Sequence, residues 1–263
     1  MELDCKSISS LWKESLKAEA SKNHKKLAIV QVGDNPASNA YIRGKIKDCE
    51  EVGYDYELFK LPEATREDEL LALMDWLNGE LSIDGYMVQL PLPSHISPEK
   101  VAAKINTLKD VDGMNPDSDF LPCTPLGIMY LLNNLKINLS GKYVVVLGRS
   151  KIVGAPMAML LQDCDATVAV CHSKTSPRIK HYLLGQADIV ISAVGQIGVV
   201  TSNQLQDNTL VIDVGINHGQ DGRMHGDFVI TDNDSPNRIN YTPVPGGVGL
   251  LTRCALLDNL SRT

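Results

Sequence analysis

Short apolar runs bounded by turn residues recur along this chain, with helix-patterned stretches between them. Leu27 to Val32 is one such run, ending at Gly33, and residues 54–60 alternate loosely. IDGYMVQL, KYVVVLG, ATVAVC, ADIVISAVG and TLVIDVGIN follow in order. Runs this short and this apolar suit strands buried on both faces, and strands alternating with helices predict parallel sheets covered by helices. The fold class expected is therefore α/β.

The stretches between the runs carry helix punctuation. The opening segment places Ile8, Leu11, Trp12, Leu16 and Ala20 near helical spacing. Pro36 suits a first helical turn and Gly53 a C-cap, which predicts a helix between them. Thr65 is the expected cap of a helix from about Arg66 to Leu77, and another runs from Pro98 to Asn106. Lys109 to Pro125 reads as a loop, and Thr124-Pro125 opens a helix to about Leu135. Further helices are expected from about Val153 to Gln162 and from Gly249 to Leu260. Gly141 marks a second beginning. Two α/β domains result: 1–139, with the terminal helix 249–263 packing back on it, and 140–248, a Rossmann-type nucleotide-binding domain. Their parallel sheets are expected to flank a cleft that takes the ligands.

Several classes of protein are disfavoured. A net charge of -7 argues against nucleic-acid and anionic-membrane partners. The N-terminal segment lacks the basic and apolar regions of a signal peptide, and no apolar run approaches the ~18 residues of a membrane span. The six cysteines are scattered, with no C-x-x-C, so free thiols in a reducing compartment and a cytoplasmic location are expected. The six histidines are equally dispersed, and no metal is expected.

Val144 to Leu147 lead into Gly148-Arg149-Ser150-Lys151-Ile152-Val153-Gly154. Strand, glycine turn and helix N-terminus together suit a dinucleotide pyrophosphate, although the glycine spacing is not G-x-G-x-x-G. NAD sites carry Asp or Glu roughly 20 residues past the first glycine, to bond the ribose 2′-hydroxyl. Here the second strand ends in His172-Ser173-Lys174. Ser173 can donate to a 2′-phosphate, and Arg149, Lys174 and His172 can supply positive charge, so NADP is expected in preference to NAD.

Ser38, Tyr41 and Lys45 are spaced by three and four, on one face of the Pro36 helix. A lysine facing a cleft loses hydration, which lowers its pKa and suits it to acid–base work; a solvated Lys like Lys47 is the alternative. Val88-Gln89-Leu90 ends a strand, where Gln89 can bond either the lysine amine or a substrate oxygen. Asp110 and Asp112 offer carboxylates to a pterin-like edge, or else serve turn chemistry. Pro245-Gly246-Gly247 and Gly249 form a loop where backbone can approach a flat ligand.

Taken together, VGDNPASNAYIRGKIK, GYMVQLPLP, KDVDGMNP, PCTPLGI, GKYVVVLGRSKIVGAPMAMLL, ATVAVCHSKT, ADIVISAVG, VIDVGIN and TPVPGGVG resemble the bifunctional methylenetetrahydrofolate dehydrogenase/methenyltetrahydrofolate cyclohydrolase family. The resemblance covers most of the chain from about residue 27. It implies oxidation of 5,10-methylenetetrahydrofolate with NADP, then hydrolysis of the methenyl cation to 10-formyltetrahydrofolate. It implies that Lys45 moves the proton, that Gln89 tunes it, that Tyr41 stacks on the folate with Ser38 in support, and that Asp112 grips the pterin. Val88, Leu90, Pro245, Gly246 and Gly247 would line the substrate. Gly148, Arg149, Ser150, Val153, Gly154, His172, Ser173, Lys174, Ala193, Val194, Gly195, Ile216, Gly249 and Thr252 would line the cofactor. A homodimer is implied as well.

The chain departs from the family pattern in three places. It lacks the usual leading segment, residues 117–121 are a clipped loop, and Leu250-Leu251-Thr252 replaces Pro-Met-Thr. The alternatives are a dehydrogenase with weak or lost cyclohydrolase activity, against which Lys45 stands, and a non-catalytic nucleotide-binding scaffold.

Overall fold

The computed structural model describes residues 1–219, 221–231 and 238–263. Contacts divide the chain into two compact units, Ser10–Cys123 with Arg253–Thr263, and Met1–Ser9 with Thr124–Thr252.

In the first unit, β1 (Lys26–Val32) lies between β2 (Asp55–Leu61) and β3 (Gly85–Val88), all parallel. The central strand is buried from Leu27 onward, which is why it reads as an unbroken apolar run. Helix α1 (Cys5–Ala20) belongs to this unit from Ser10 onward, and α2 (Pro36–Val52), α3 (Glu67–Gly79) and α4 (Pro98–Lys104) accompany the strands. Leu70, Met74 and Leu77 of α3 pack with Ala28, Val30, Tyr86 and Val88 in one core.

Two details differ from the sequence expectation. Leu11 is 63% exposed, while Cys5, Trp12, Leu16 and Ala20 form the buried stripe of α1. The spacing 5, 12, 16, 20 selects a face that leaves Leu11 a quarter-turn outside it. Arg66, not Thr65, is the N-cap of α3, and its backbone N–H donates to Glu69 Oε2 at 2.9 Å. The acidic first turn of Glu67, Asp68 and Glu69 complements the exposed amides there.

The second unit holds a five-stranded parallel sheet in the order β12-β8-β6-β4-β5. Its strands are β4 (Tyr143–Leu147), β5 (Thr167–Cys171), β6 (Ile189–Ser192), β8 (Leu210–Asp213) and β12 (Asn240–Tyr241). The order reverses between β4 and β6, as in doubly wound nucleotide-binding sheets. Helices α5 (Cys123–Asn134), α6 (Gly154–Asp163) and α7 (Pro177–Leu184) accompany it, with all of α5 but Cys123 in this unit. Short strands complete the unit: β7 (Val200–Thr201) beside β11 (Phe228–Val229), and β9 (Asn217–His218) beside β10 (Met224–His225). Helix α8 (Val248–Ser261) begins in this unit and ends in the other. In the first unit, Asn259 Nδ2 donates to Val111 O at 2.9 Å and Leu121 O at 3.0 Å, pinning the clipped loop.

Candidate functional site

Helix α2 delivers the lysine. Asn35 caps it, its Oδ1 accepting from the N–H groups of Ala37 and Ser38, and Pro36 fits the first turn. Gly53 closes it at φ 95°, a left-handed conformation that costs a glycine little. The buried face of α2 carries Ser38, Ile42, Lys45 and Cys49. Lys45 is 8% exposed, whereas Lys47 on the other face is exposed.

The Lys45 amine lies 3.1 Å from Gln89 Oε1 and 2.8 Å from Met87 Sδ. Gln89 follows β3, and its Nε2 donates to Leu90 O at 2.7 Å, which aims the amide oxygen at the lysine. Ser38 Oγ donates to the same Leu90 carbonyl at 3.4 Å. No ion pair holds Lys45 among the described residues; a neutral amide oxygen and a thioether place its amine without supplying a counter-charge. Burial pushes the Lys45 pKa below its ordinary value, and the Asp112 charge opposes it as the next largest influence. Such a group can both accept and return a proton.

Asp110 and Asp112 stand in different surroundings. Asp110 is fully buried and accepts from the N–H groups of Met114 at 3.1 Å and Asn115 at 2.7 Å, so it builds the turn. Asp112 is half-buried and is the carboxylate whose charge reaches Lys45. Tyr41, one turn before Lys45, is half-buried, and burial raises its phenol pKa. Val88 is buried and Leu90 half-buried. Met87 was not singled out from sequence; an apolar strand residue carries no signal of contact with an amine. Arg253 was also missed. Its Nε donates to the buried Asp48 at 2.6 Å, and a Cβ on Gly44 would meet its guanidinium at 2.2 Å.

In the second unit, the β4 turn passes Gly148 at φ 109°. A Cβ there would meet Ala193 O at 2.6 Å, and one on Gly154 would meet Gly148 O at 2.2 Å. The turn therefore requires both glycines. Ser150 Oγ accepts from Val153 N at 3.2 Å and Gly154 N at 3.4 Å, shaping the entry to α6. Val153 is half-buried, and Arg149 and Ser150 are exposed at the strand's carboxyl end. Beyond β5, Ser173 and Lys174 are exposed. His172 Nδ1 accepts the Lys174 N–H at 3.2 Å, a role open only to a nitrogen without its proton. Beyond β6, Ala193 is half-buried and Val194 and Gly195 are exposed, as is Ile216 beyond β8. These residues ring the carboxyl ends of one parallel sheet, where such sheets bind ligands. A glycine cradle, an adjacent helix N-terminus and no carboxylate at the end of β5 fit an NADP dinucleotide.

The loop from Pro243 to Gly247 is shaped by its glycines, and Gly249 lies in the first turn of α8, where a Cβ would meet nothing. Gly246 has φ 99°, and a Cβ on Gly247 would meet Pro243 O at 2.2 Å. Thr252 donates to Val248 O at 3.1 Å and lies 3.2 Å from Thr124 Oγ1.

The model of the tetrahydrofolate dehydrogenase/cyclohydrolase catalytic domain matches residues 3–112, and that of the same family's NAD(P)-binding domain matches residues 122–263. The chain belongs to the tetrahydrofolate dehydrogenase/cyclohydrolase family. Within it, the "Bifunctional protein FolD" of Paracidovorax citrulli is 47% identical, over 89% of this chain and 84% of the relative. The crystal structure of the bifunctional FolD methylenetetrahydrofolate dehydrogenase/cyclohydrolase of Campylobacter jejuni superposes with a TM-score of 0.93 at 41% identity, covering 100% of this chain and 97% of that one. A Trypanosoma brucei FolD complexed with NADP cofactor and an inhibitor superposes with a TM-score of 0.90 at 32% identity, covering 99% and 95%. The first family match ends at residue 112 and the second begins at 122, and one break of the contact division falls just after, between Cys123 and Thr124.

Proposed function

We infer that the protein oxidises 5,10-methylenetetrahydrofolate to 5,10-methenyltetrahydrofolate with NADP and hydrolyses the product to 10-formyltetrahydrofolate. Family membership supports both activities, and the buried Lys45–Gln89 pair carries the hydrolytic one. NADP, when bound, accepts the hydride. The protein's share of that step is placement, since hydride transfer depends on ring distance and orientation more than on protein acid or base.

Hydrolysis requires water to add to the methenyl carbon and a proton to leave that water. Lys45 takes the proton as a neutral amine and returns it to the ring nitrogen as the C–N bond opens, while the added hydroxyl loses its proton to solvent as the formyl carbonyl forms. Gln89 Oε1 holds the amine in place and accepts from the ammonium that forms. Tyr41 stacks on the folate, Asp112 accepts from its pterin edge, and Ser38, Val88, Leu90, Pro245, Gly246 and Gly247 line the substrate. Gly148, Arg149, Ser150, Val153 and Gly154 hold the pyrophosphate. His172, Ser173 and Lys174 meet the 2′-phosphate. Ala193, Val194, Gly195, Ile216, Gly249 and Thr252 complete the cofactor contacts.

Residues 1–139 with the terminal helix form the folate-binding domain, and 140–248 the nucleotide-binding domain. The working form is a homodimer in the cytoplasm, with no nucleic-acid or membrane partner. Among the described residues, no helix is long and apolar enough to cross a membrane.

The test is initial-rate assay with NADP and with NAD, following methenyl formation and methenyl hydrolysis separately. NADP-dependent methenyl formation with a distinct hydrolysis rate is the expected result. Absence of either product from purified protein contradicts the reading.

A further inference from the structure

Asp227, between β10 and β11, belongs to none of the proposed binding residues, yet it is fully buried. Its Oδ2 accepts from Ser192 Oγ at 2.8 Å, Val194 N at 2.8 Å and Gly195 N at 3.2 Å. Its Oδ1 accepts from Gln196 N at 2.8 Å and Asn217 Nδ2 at 3.1 Å. Three successive backbone amides of one turn thus converge on a single carboxylate. Charge-assisted hydrogen bonds of this kind are about twice as strong as neutral ones.

A second carboxylate holds the first. Asp213, at the end of β8, accepts from Asp227 N at 2.9 Å and Phe228 N at 2.8 Å, and from Gly215 N at 2.9 Å. The fit is close, since a Cβ on Gly215 would meet Asp227 Oδ1 at 2.1 Å and one on Gly226 would meet Asp213 Oδ2 at 1.9 Å. The carboxyl ends of β6 and β8 are thereby tied to the 193–196 turn. That turn approaches the glycine turn after β4, whose Gly148 has no room for a Cβ against Ala193 O.

The turn so held and its surroundings expose apolar side chains. Val194 is 44% exposed, Ile197 43% and, beyond β8, Ile216 42%. Sheet order says which half of the dinucleotide they meet. The pyrophosphate belongs at the β4 turn and the 2′-phosphate ribose beyond β5, so the β6 and β8 side, across the switch point, is left for the nicotinamide half.

We propose that Asp227 is a positioning residue for the nicotinamide half of NADP, acting by clamping the Ala193–Gln196 turn that presents Val194, and Ile197 directly after it, to the ring. The proposal rests on the NADP-dependent reading above. Asp227 touches no cofactor atom itself; it fixes backbone that does.

The test measures NADP and 2′,5′-ADP binding by calorimetry in wild type and Asp227→Asn, together with hydrogen exchange at the 194–196 amides. In the variant an Nδ2 donor faces N–H donors. NADP affinity is expected to fall at least tenfold, 2′,5′-ADP affinity to stay within twofold, and exchange at 194–196 to accelerate. Methenyl hydrolysis, which uses no nucleotide, is expected to stay within twofold and reports that the fold survives. Should Asp227→Asn fail to fold, Asn217→Ala, which removes one donor and keeps the carboxylate, is expected to weaken NADP twofold or more and to spare 2′,5′-ADP. A folded variant that binds NADP as wild type does, or that loses both nucleotides equally, overturns the positioning role while leaving the enzymatic reading intact. A wild-type protein that binds neither nucleotide overturns that reading, and this proposal with it.

Discussion

The Lys45 amine and the Gln89 side-chain oxygen meet at 3.1 Å, one from the third turn of α2 and the other from the end of β3. Their meeting takes an amine out of water without giving it a counter-ion. Burial then favours the neutral form, so under the proposed mechanism a proton taken from an attacking water is easily given up again. A carboxylate in place of Gln89 would hold the ammonium and slow its return to the neutral base.

The pH dependence follows from that lowered pKa. Hydrolysis of the methenyl substrate is expected to rise with pH as Lys45 loses its proton, at a pH below the ordinary lysine value of 10.5. The native state binds fewer protons at Lys45 than the unfolded chain between the depressed pKa and 10.5. Stability therefore gains with pH across that window, and the ammonium is a liability below it. Lys45→Met is expected to raise the melting temperature at neutral pH by about 2–4 °C, for a gain of roughly 1 kcal/mol. Calorimetric scans at pH 7 and pH 10 check this, the difference between the proteins shrinking at the higher pH.

Gln89→Leu removes the acceptor and leaves a group of similar size. Hydrolysis is expected to fall about 10–100-fold, since a misplaced base loses much of a 10²–10⁴-fold contribution. NADP-linked oxidation should change by less than about threefold, a split read from the two product-formation rates in one preparation.

Ser173 stands where a carboxylate would select NAD. Ser173→Asp is expected to weaken NADP about tenfold or more and to leave NAD equal or improved, because the new charge repels a 2′-phosphate. The ratio of kcat/KM for the two nucleotides measures it.

Asp48 is buried between two cations, at 2.6 Å from Arg253 Nε and 3.4 Å from Lys13 Nζ. Asp48→Ala leaves both without that partner and with little water. A loss of about 2 kcal/mol, or roughly 4–8 °C in melting temperature, is expected, reduced from the fully buried case because Arg253 and Lys13 keep some exposure. Thermal unfolding at neutral pH reads it directly.

Most strands were legible because buried parallel strands must be apolar, and β1, β4, β6 and β8 are little else. Helix α2 was legible at both ends because Pro36 and Gly53 have few other uses at those places. The environment of Lys45 was less legible. Lys45 and Lys47 look alike in a one-dimensional pattern, and only packing shows that one faces Gln89 and the other solvent. Asp227 left no local trace. The amides it holds lie 31–33 residues earlier in the chain, so nothing near it in the sequence announces them. Thr65 misled for the opposite reason: it is a good capping residue, yet the helix starts one residue later and uses Glu69 instead.

The decisive measurement is the pair of rates, NADP-linked oxidation and methenyl hydrolysis, in a single preparation of Lys45→Met. The account predicts hydrolysis reduced at least about 100-fold, with oxidation within several-fold of wild type. Undiminished hydrolysis from that variant would show that water is activated elsewhere and that the buried amine is structural.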